Sequence, residues 1–140
     1  MVEPGTTLQM PPGWKVYSLL APLVYLASPY THADPAVMEA RFQAATRYAA
    51  RLMGQGVNVF SPIAYTHVIL QHGLPVDWDF WKQYGEKWLA VCDSMIVLML
   101  DGWEVSKGVN AEIAIMGAAG KSIEWHAPDG RVHMRDLRGG

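Results

Sequence analysis

A single cysteine, Cys92, is all that the sequence contains, which excludes an intramolecular disulfide and a cysteine-rich zinc site. That scarcity fits a reducing compartment, and Cys92 itself reads as a small core residue. Charge is sparse too: 17% of residues are Asp, Glu, Lys or Arg, the formal net charge is −2 and the pI is near 6.2. The eleven Lys and Arg never cluster, so a sequence-independent grip on a nucleic-acid backbone is not expected. No apolar run reaches the length of a membrane span. The apolar stretch Ser18 to Ser28 is interrupted by Pro22 and has no basic segment before it at Met1, so it does not read as a signal peptide, and a cytoplasmic location is expected. No His-x-x-x-His pair occurs. His32, His67 and His72 read as polar loop residues, and neither a metal nor another cofactor is expected. Internal repeats and low-complexity tracts are missing as well.

What is present is apolar and aromatic. At 140 residues, 51% hydrophobic, the chain has the length of one domain that buries about two thirds of its unfolded surface. Six Trp are many for that length, and some are expected to face a ligand or a partner subunit.

The first 22 residues carry Pro4, Pro11, Pro12, Gly5 and Gly13 without a hydrophobic period and read as an arm. Within it, Trp14 to Leu20 is either an extra edge strand or a linker against a neighbouring subunit. Leu23 to Ser28 is a β-prone run with the character of a fully buried strand. Asp34-Pro35 caps a helix whose apolar positions run from Val37 to Met53 and which stops at Gly54 and Gly56. Val57 to Ser61 is a second strand. Ile63 to Val76 reads as an irregular stretch with room for a short helical turn, a length that suggests a functional loop or lid. Asp77 opens a helix with Trp78, Trp81, Tyr84, Trp88, Leu89 and Cys92 on its apolar positions. A strand (Ser94 to Leu100), a polar loop (Asp101 to Lys107), another helix and a short strand ending at Trp125 follow. Residues 126–140 are polar, with Arg131 to Leu137 as an edge strand or a tail. This order predicts an α/β fold: a three-layer, Rossmann-like (flavodoxin-like) parallel sheet flanked by helices, over residues 23–125.

Two nucleotide-binding signatures fail. Gly120-Lys121-Ser122 ends like a phosphate loop, but Ile115 stands where that motif needs glycine, and the segment leaves a helix and enters a strand. It reads as a helix C-cap. The loop after the first strand, Pro29-Tyr30-Thr31-His32, has no glycine for a pyrophosphate to approach.

The loop after Ser94 to Leu100 carries more. Ligands of open parallel sheets bind beyond the carboxyl ends of the strands, where Asp101, Gly102, Trp103 and Glu104 fall. Ser106 is a natural N-cap, and Gly108 permits close approach to backbone donors at the helix start, which together make a plausible anion site. Glu112 follows among small apolar residues, facing either solvent or the cleft. Ser28 and Ser61 end their strands on the same edge and are candidates to line a pocket. Tyr30, Trp81 and Trp103 are candidates to sandwich a ring, with core packing expected for Trp81 and Trp88 and a ligand contact for Trp103.

Tyr25-Leu-Ala-Ser-Pro-Tyr30, Phe60-Ser-Pro62, Trp88-Leu89 through Asp93, and above all Asp101-Gly-Trp-Glu-x-Ser-x-Gly-x-x-x-Glu112 resemble the nucleoside 2-deoxyribosyltransferase-like superfamily, closest to its small uncharacterised bacterial and phage members. The resemblance covers Leu23 to Trp125. It implies a glutamate nucleophile, matched by Glu112, that attacks the anomeric carbon of a (deoxy)nucleoside or nucleoside 5′-monophosphate as the base departs, with net retention. Transferases of that family tend to have aspartate where this chain has Ser106. Relatives acting on 5′-monophosphates have serine there, against the phosphate. A second family aspartate falls on Gly85, so its role is unfilled unless Glu86, Asp79 or Asp101 takes it over.

The expected function is therefore cleavage or transfer at an N-glycosidic bond, with Glu112 and Asp101 catalytic and Ser28, Tyr30, Ser61, Gly102, Trp103, Ser106 and Gly108 contacting substrate. Partners are a small-molecule nucleoside or nucleotide and further copies of the chain, with no nucleic acid and no membrane. The alternative is a nucleotide-binding or regulatory module, or a structural oligomer, on the same fold.

Overall fold

The computed structural model describes residues 21–136. The arm expected over residues 1–22, with its strand or linker at Trp14 to Leu20, lies outside the described residues except for Ala21 and Pro22.

Strand β1 (Leu23–Ala27) is buried from Val24 onward and feeds helix α1 (Pro35–Gly54). Asp34 caps that helix by accepting from the Ala36 amide at 2.9 Å, and Pro35 occupies the first helical position, where a missing N–H costs nothing. The left-handed backbone of Gly56 (φ 88°) then turns the chain into strand β2 (Asn58–Phe60).

The stretch expected to be irregular, with room for a short helical turn, opens with a longer helix, α2 (Pro62–Leu70), and is irregular only after it. Its capping signal is complete, with Ser61 Oγ accepting from the Ala64 amide at 3.3 Å and Pro62 first in the helix. The body, Ile-Ala-Tyr-Thr-His-Val-Ile-Leu, is apolar on nearly every side, so no amphipathic stripe announces it.

Helix α3 (Trp78–Val91) leads to strand β3 (Ser94–Leu98), which stops two residues short of the expected Leu100. A single 3-10 turn (Trp103–Val105) precedes helix α4 (Lys107–Ala118), and strands β4 (Ser122–His126) and β5 (Val132–Asp136) complete the sheet.

The sheet has the order β2-β1-β3-β4-β5. Its first four strands are parallel, and β5 runs antiparallel on β4 as the edge strand. Asp93 pins the amino ends of the two central strands: its amide donates to the Leu23 carbonyl at 2.8 Å and its carboxylate accepts from the Leu23 amide at 2.7 Å.

Alternation along the strands divides the core into two layers. Val24, Leu26, Ile96 and Leu98 pack on Tyr48, Ala49 and Leu52 of α1. Tyr25, Met95, Val97, Ile123 and Trp125 face the other way, onto Leu89 of α3 and Val109 and Met116 of α4. The fold is thus the expected α/β, Rossmann-like architecture, with the antiparallel β5 added.

Gly117 to Ser122 closes α4 as a C-cap, with Gly120 left-handed at φ 69°. Lys121, the residue that imitates a phosphate-loop lysine, donates to the carbonyls of Leu89 at 2.8 Å, Ala90 at 3.0 Å and Cys92 at 2.7 Å. It therefore caps the carboxyl end of α3. Among the described residues no helix is long and apolar enough to cross a membrane.

Candidate functional site

Glu112 has its place through the local design of α4. Ser106 Oγ accepts from the Val109 amide at 3.2 Å and starts the helix, and Val109, Glu112 and Met116 then fall on its buried stripe. Of the two orientations open to Glu112 in the sequence, the structure has the inward one, at 7% exposure. The Tyr25 hydroxyl, from the middle of β1, donates to Glu112 Oε2. Burial raises the Glu112 carboxyl from its ordinary 4.5 to about 7, and the bond from Tyr25 draws it partly back by favouring the charged form. Burial and the adjacent carboxylate raise the Tyr25 hydroxyl well above the usual tyrosine range.

This pair lies at the wall of a cavity of about 410 Å³, within the range that holds small organic ligands. Ser28, Tyr30 and His32 border it from the loop after β1, and Gly102, Ser106 and Gly108 from the segment between β3 and α4. The cavity thus opens where the connections of β1 and β3 leave the sheet in opposite directions, the usual ligand crevice of such folds. Phe60, Tyr65, Trp78, Trp81, Tyr84 and Trp88 supply an aromatic wall. Phe60 and Trp88 are stacked at 4.1 Å between ring centroids, while Trp81 meets Tyr84 at 5.5 Å. The core role expected for Trp81 and Trp88 therefore gives way to one on the cavity wall.

The candidate residues separate. Ser28 borders the cavity, and its Oγ is the one buried side-chain polar atom among the described residues with no hydrogen-bond partner. Tyr30 borders it with a fixed hydroxyl, 2.6 Å from His67 Nδ1, and His67 Nε2 in turn lies 3.0 Å from Glu39. Three expected contacts do not border the cavity. Ser61 is spent as the cap of α2. Asp101 is solvent-exposed, offering its carbonyl to Arg41 at 3.0 Å. Trp103 packs against the core beneath the sheet's α3 and α4 side, because the turn after Gly102 directs it there.

Gly102 is favoured by its backbone, with φ at 88°, and a Cβ there would stand 2.8 Å from Arg41 Nη2 and push the guanidinium aside. A Cβ at Gly108 would stand in ordinary contact with Trp78, 3.8 Å from Cε3. On the opposite helix, a Cβ at Gly85 would meet Trp78 at 3.3 Å and the Tyr25 hydroxyl at 3.8 Å. A side chain at position 85 would thus point at the Tyr25–Glu112 pair, and Trp78 takes that space. None of the three acids considered as substitutes fills it. Glu86 pairs with Lys82 at 3.9 Å on the surface, Asp79 pairs with Lys107 at 3.1 Å, and Asp101 lies outside the cavity.

Sequence reasoning missed Tyr25, Arg41, Asp77 and Trp78 as cavity residues. Arg41 ties the rim together, donating to the Thr31 carbonyl at 3.1 Å as well as to Asp101. Its only local signal was a charged residue interrupting the apolar period of α1. Tyr25 offered a hydroxyl within an apolar strand and a place in a motif, but its partner is 87 positions away. Among the described residues no group of three or more His, Cys, Asp or Glu is placed to hold a metal ion.

No curated protein matches the chain. Residues 22–127 match the family described as Domain of unknown function (DUF1937). That match spans the strands, helices and loops that border the cavity, and the chain belongs to this family.

Proposed function

We propose that this protein cleaves or transfers the N-glycosidic bond of a (deoxy)nucleoside or nucleoside 5′-monophosphate, as its resemblance to the nucleoside 2-deoxyribosyltransferase-like superfamily implies. The observation that carries the reading is a buried glutamate held by a tyrosine hydroxyl beside an aromatic-walled cavity. In its ionised form Glu112 attacks the anomeric carbon while the bond to the base nitrogen breaks and its electron pair leaves with the base. Water or a second base then displaces the carboxylate from the opposite side, giving net retention. Tyr25 holds Oε2, leaving the other oxygen to attack. The aromatic wall suits a planar base, which stacks on rings in offset or tilted geometry.

A 5′-phosphate fits the start of α4. Ser106 accepts from the Val109 amide through its oxygen and keeps its O–H free to donate. Arg41 on the same rim, whose guanidinium bonds neutral carbonyls, supplies positive charge. Exposed apolar side chains on α2 and α3, Val68, Tyr84 and Val91 among them, support assembly into a homo-oligomer.

The test is base release from a panel of deoxynucleosides and their monophosphates. The Glu112→Ala variant is expected to lose at least about 10³-fold in rate. Equal rates in wild type and variant refute the assignment.

Trp78 in the space beside Gly85 favours a second reading, a nucleotide-binding module without turnover. It predicts that nucleotides raise the melting temperature while no base is released.

A further inference from the structure

Resting on the glycosidic reading above, we infer that Asp77 is a catalytic residue of the same cavity, the general base that activates the water or acceptor base resolving the Glu112 glycosyl-enzyme. Two carboxylates border the cavity among the described residues, Glu112 and Asp77, and their environments are opposite. Glu112 is buried and held by Tyr25. Asp77 is exposed, within reach of the water that a base would activate.

Asp77 also breaks a local rule that the chain otherwise obeys. The residues preceding α1, α2 and α4 all turn their side chains onto first-turn amides: Asp34 at 2.9 Å, Ser61 at 3.3 Å and Ser106 at 3.2 Å. Aspartate is among the best residues for that task. Yet Asp77, in the same position before α3, makes no capping bond. No ion pair or hydrogen bond to another described residue occupies its carboxylate either. Departures from local rules are expected at functional positions, and this one lies on the cavity wall. The neighbouring charges are committed elsewhere, since Lys107 pairs with Asp79 rather than with Asp77.

The step balances without a further reactant. The oxygen of water attacks the anomeric carbon, the ester bond to Glu112 breaks, its electron pair returns to the Glu112 carboxylate, and the proton of the water passes to Asp77. With a base as acceptor, the ring nitrogen attacks and its N–H proton takes the same route.

Steady-state and burst kinetics of wild type, Glu112→Ala and Asp77→Asn in the full chain test this, with azide as a probe nucleophile that has no proton to lose. Asp77→Asn is expected to keep the wild-type melting temperature and to release one equivalent of base in a burst. It then turns over at least about 100-fold more slowly. Mass spectrometry finds the sugar on Glu112, and azide restores turnover in the variant as the glycosyl azide forms. An Asp77→Asn enzyme as fast as wild type, with Glu112→Ala inactive, overturns the role of Asp77 alone. So does a slowed variant with no trapped sugar and no azide rescue, which marks a merely structural part. No base release by wild type, or full activity in Glu112→Ala, overturns the glycosidic reading and this assignment with it.

Discussion

Replacing Glu112 by glutamine isolates the energetic cost of the central carboxylate. Its folded-state value lies near 7 against an ordinary 4.5, with burial as the larger cause. Between those two values the folded protein holds a proton that the unfolded chain has released. The contribution to stability is therefore fully present below about pH 4.5 and is lost as pH rises through 7. A difference of this size corresponds to about 3 kcal/mol. Glutamine keeps the shape and never ionises. Stability of Glu112→Gln relative to wild type is thus expected to grow by about 3 kcal/mol between pH 4.5 and pH 8, on the order of 10 °C in melting temperature for a chain of this length. Paired urea denaturation at several pH values subtracts every other titrating group, because both proteins share them. A difference that stays flat across that range refutes the claim that folding buries an ionisable Glu112 at a cost. The same titration bears on activity: a nucleophile must be ionised, so base release is expected to rise with pH through about 7.

Two further substitutions separate function from fold. Ser28→Ala removes a buried hydroxyl that bonds to nothing in the protein, so urea denaturation is expected to find stability unchanged or raised by up to about 1 kcal/mol. Calorimetry is expected to find binding of a nucleoside 5′-monophosphate weakened about tenfold, the loss of one ligand hydrogen bond. Lys121→Met keeps the aliphatic stem and removes three bonds to the last carbonyls of α3, so stability to urea falls by about 2 kcal/mol. An unchanged midpoint would show that these carbonyls are satisfied equally well by water.

The sequence by itself determined the elements whose signals are local. Asp34-Pro35 and Ser106 named their helices because a cap is written within a few residues of the amide it satisfies. The central strands were legible as runs apolar on both faces, which only a sheet covered on both sides tolerates. Helix α2 escaped, despite Ser61-Pro62, because a helix apolar on nearly all sides has no periodic stripe. Tertiary structure alone decided what meets Glu112. Tyr25 comes to it from 87 positions away: its hydroxyl is the one side-chain donor in β1, but nothing local says which acceptor it meets. The fate of the aromatics was likewise beyond local reading. Helical spacing put Trp81 in the core and a polar loop put Trp103 on a ligand, but α3 turns the first onto the cavity and the bend at Gly102 turns the second against the core. Local chemistry fixes where a helix begins and which face it buries, whereas long-range packing chooses which neighbours share that burial.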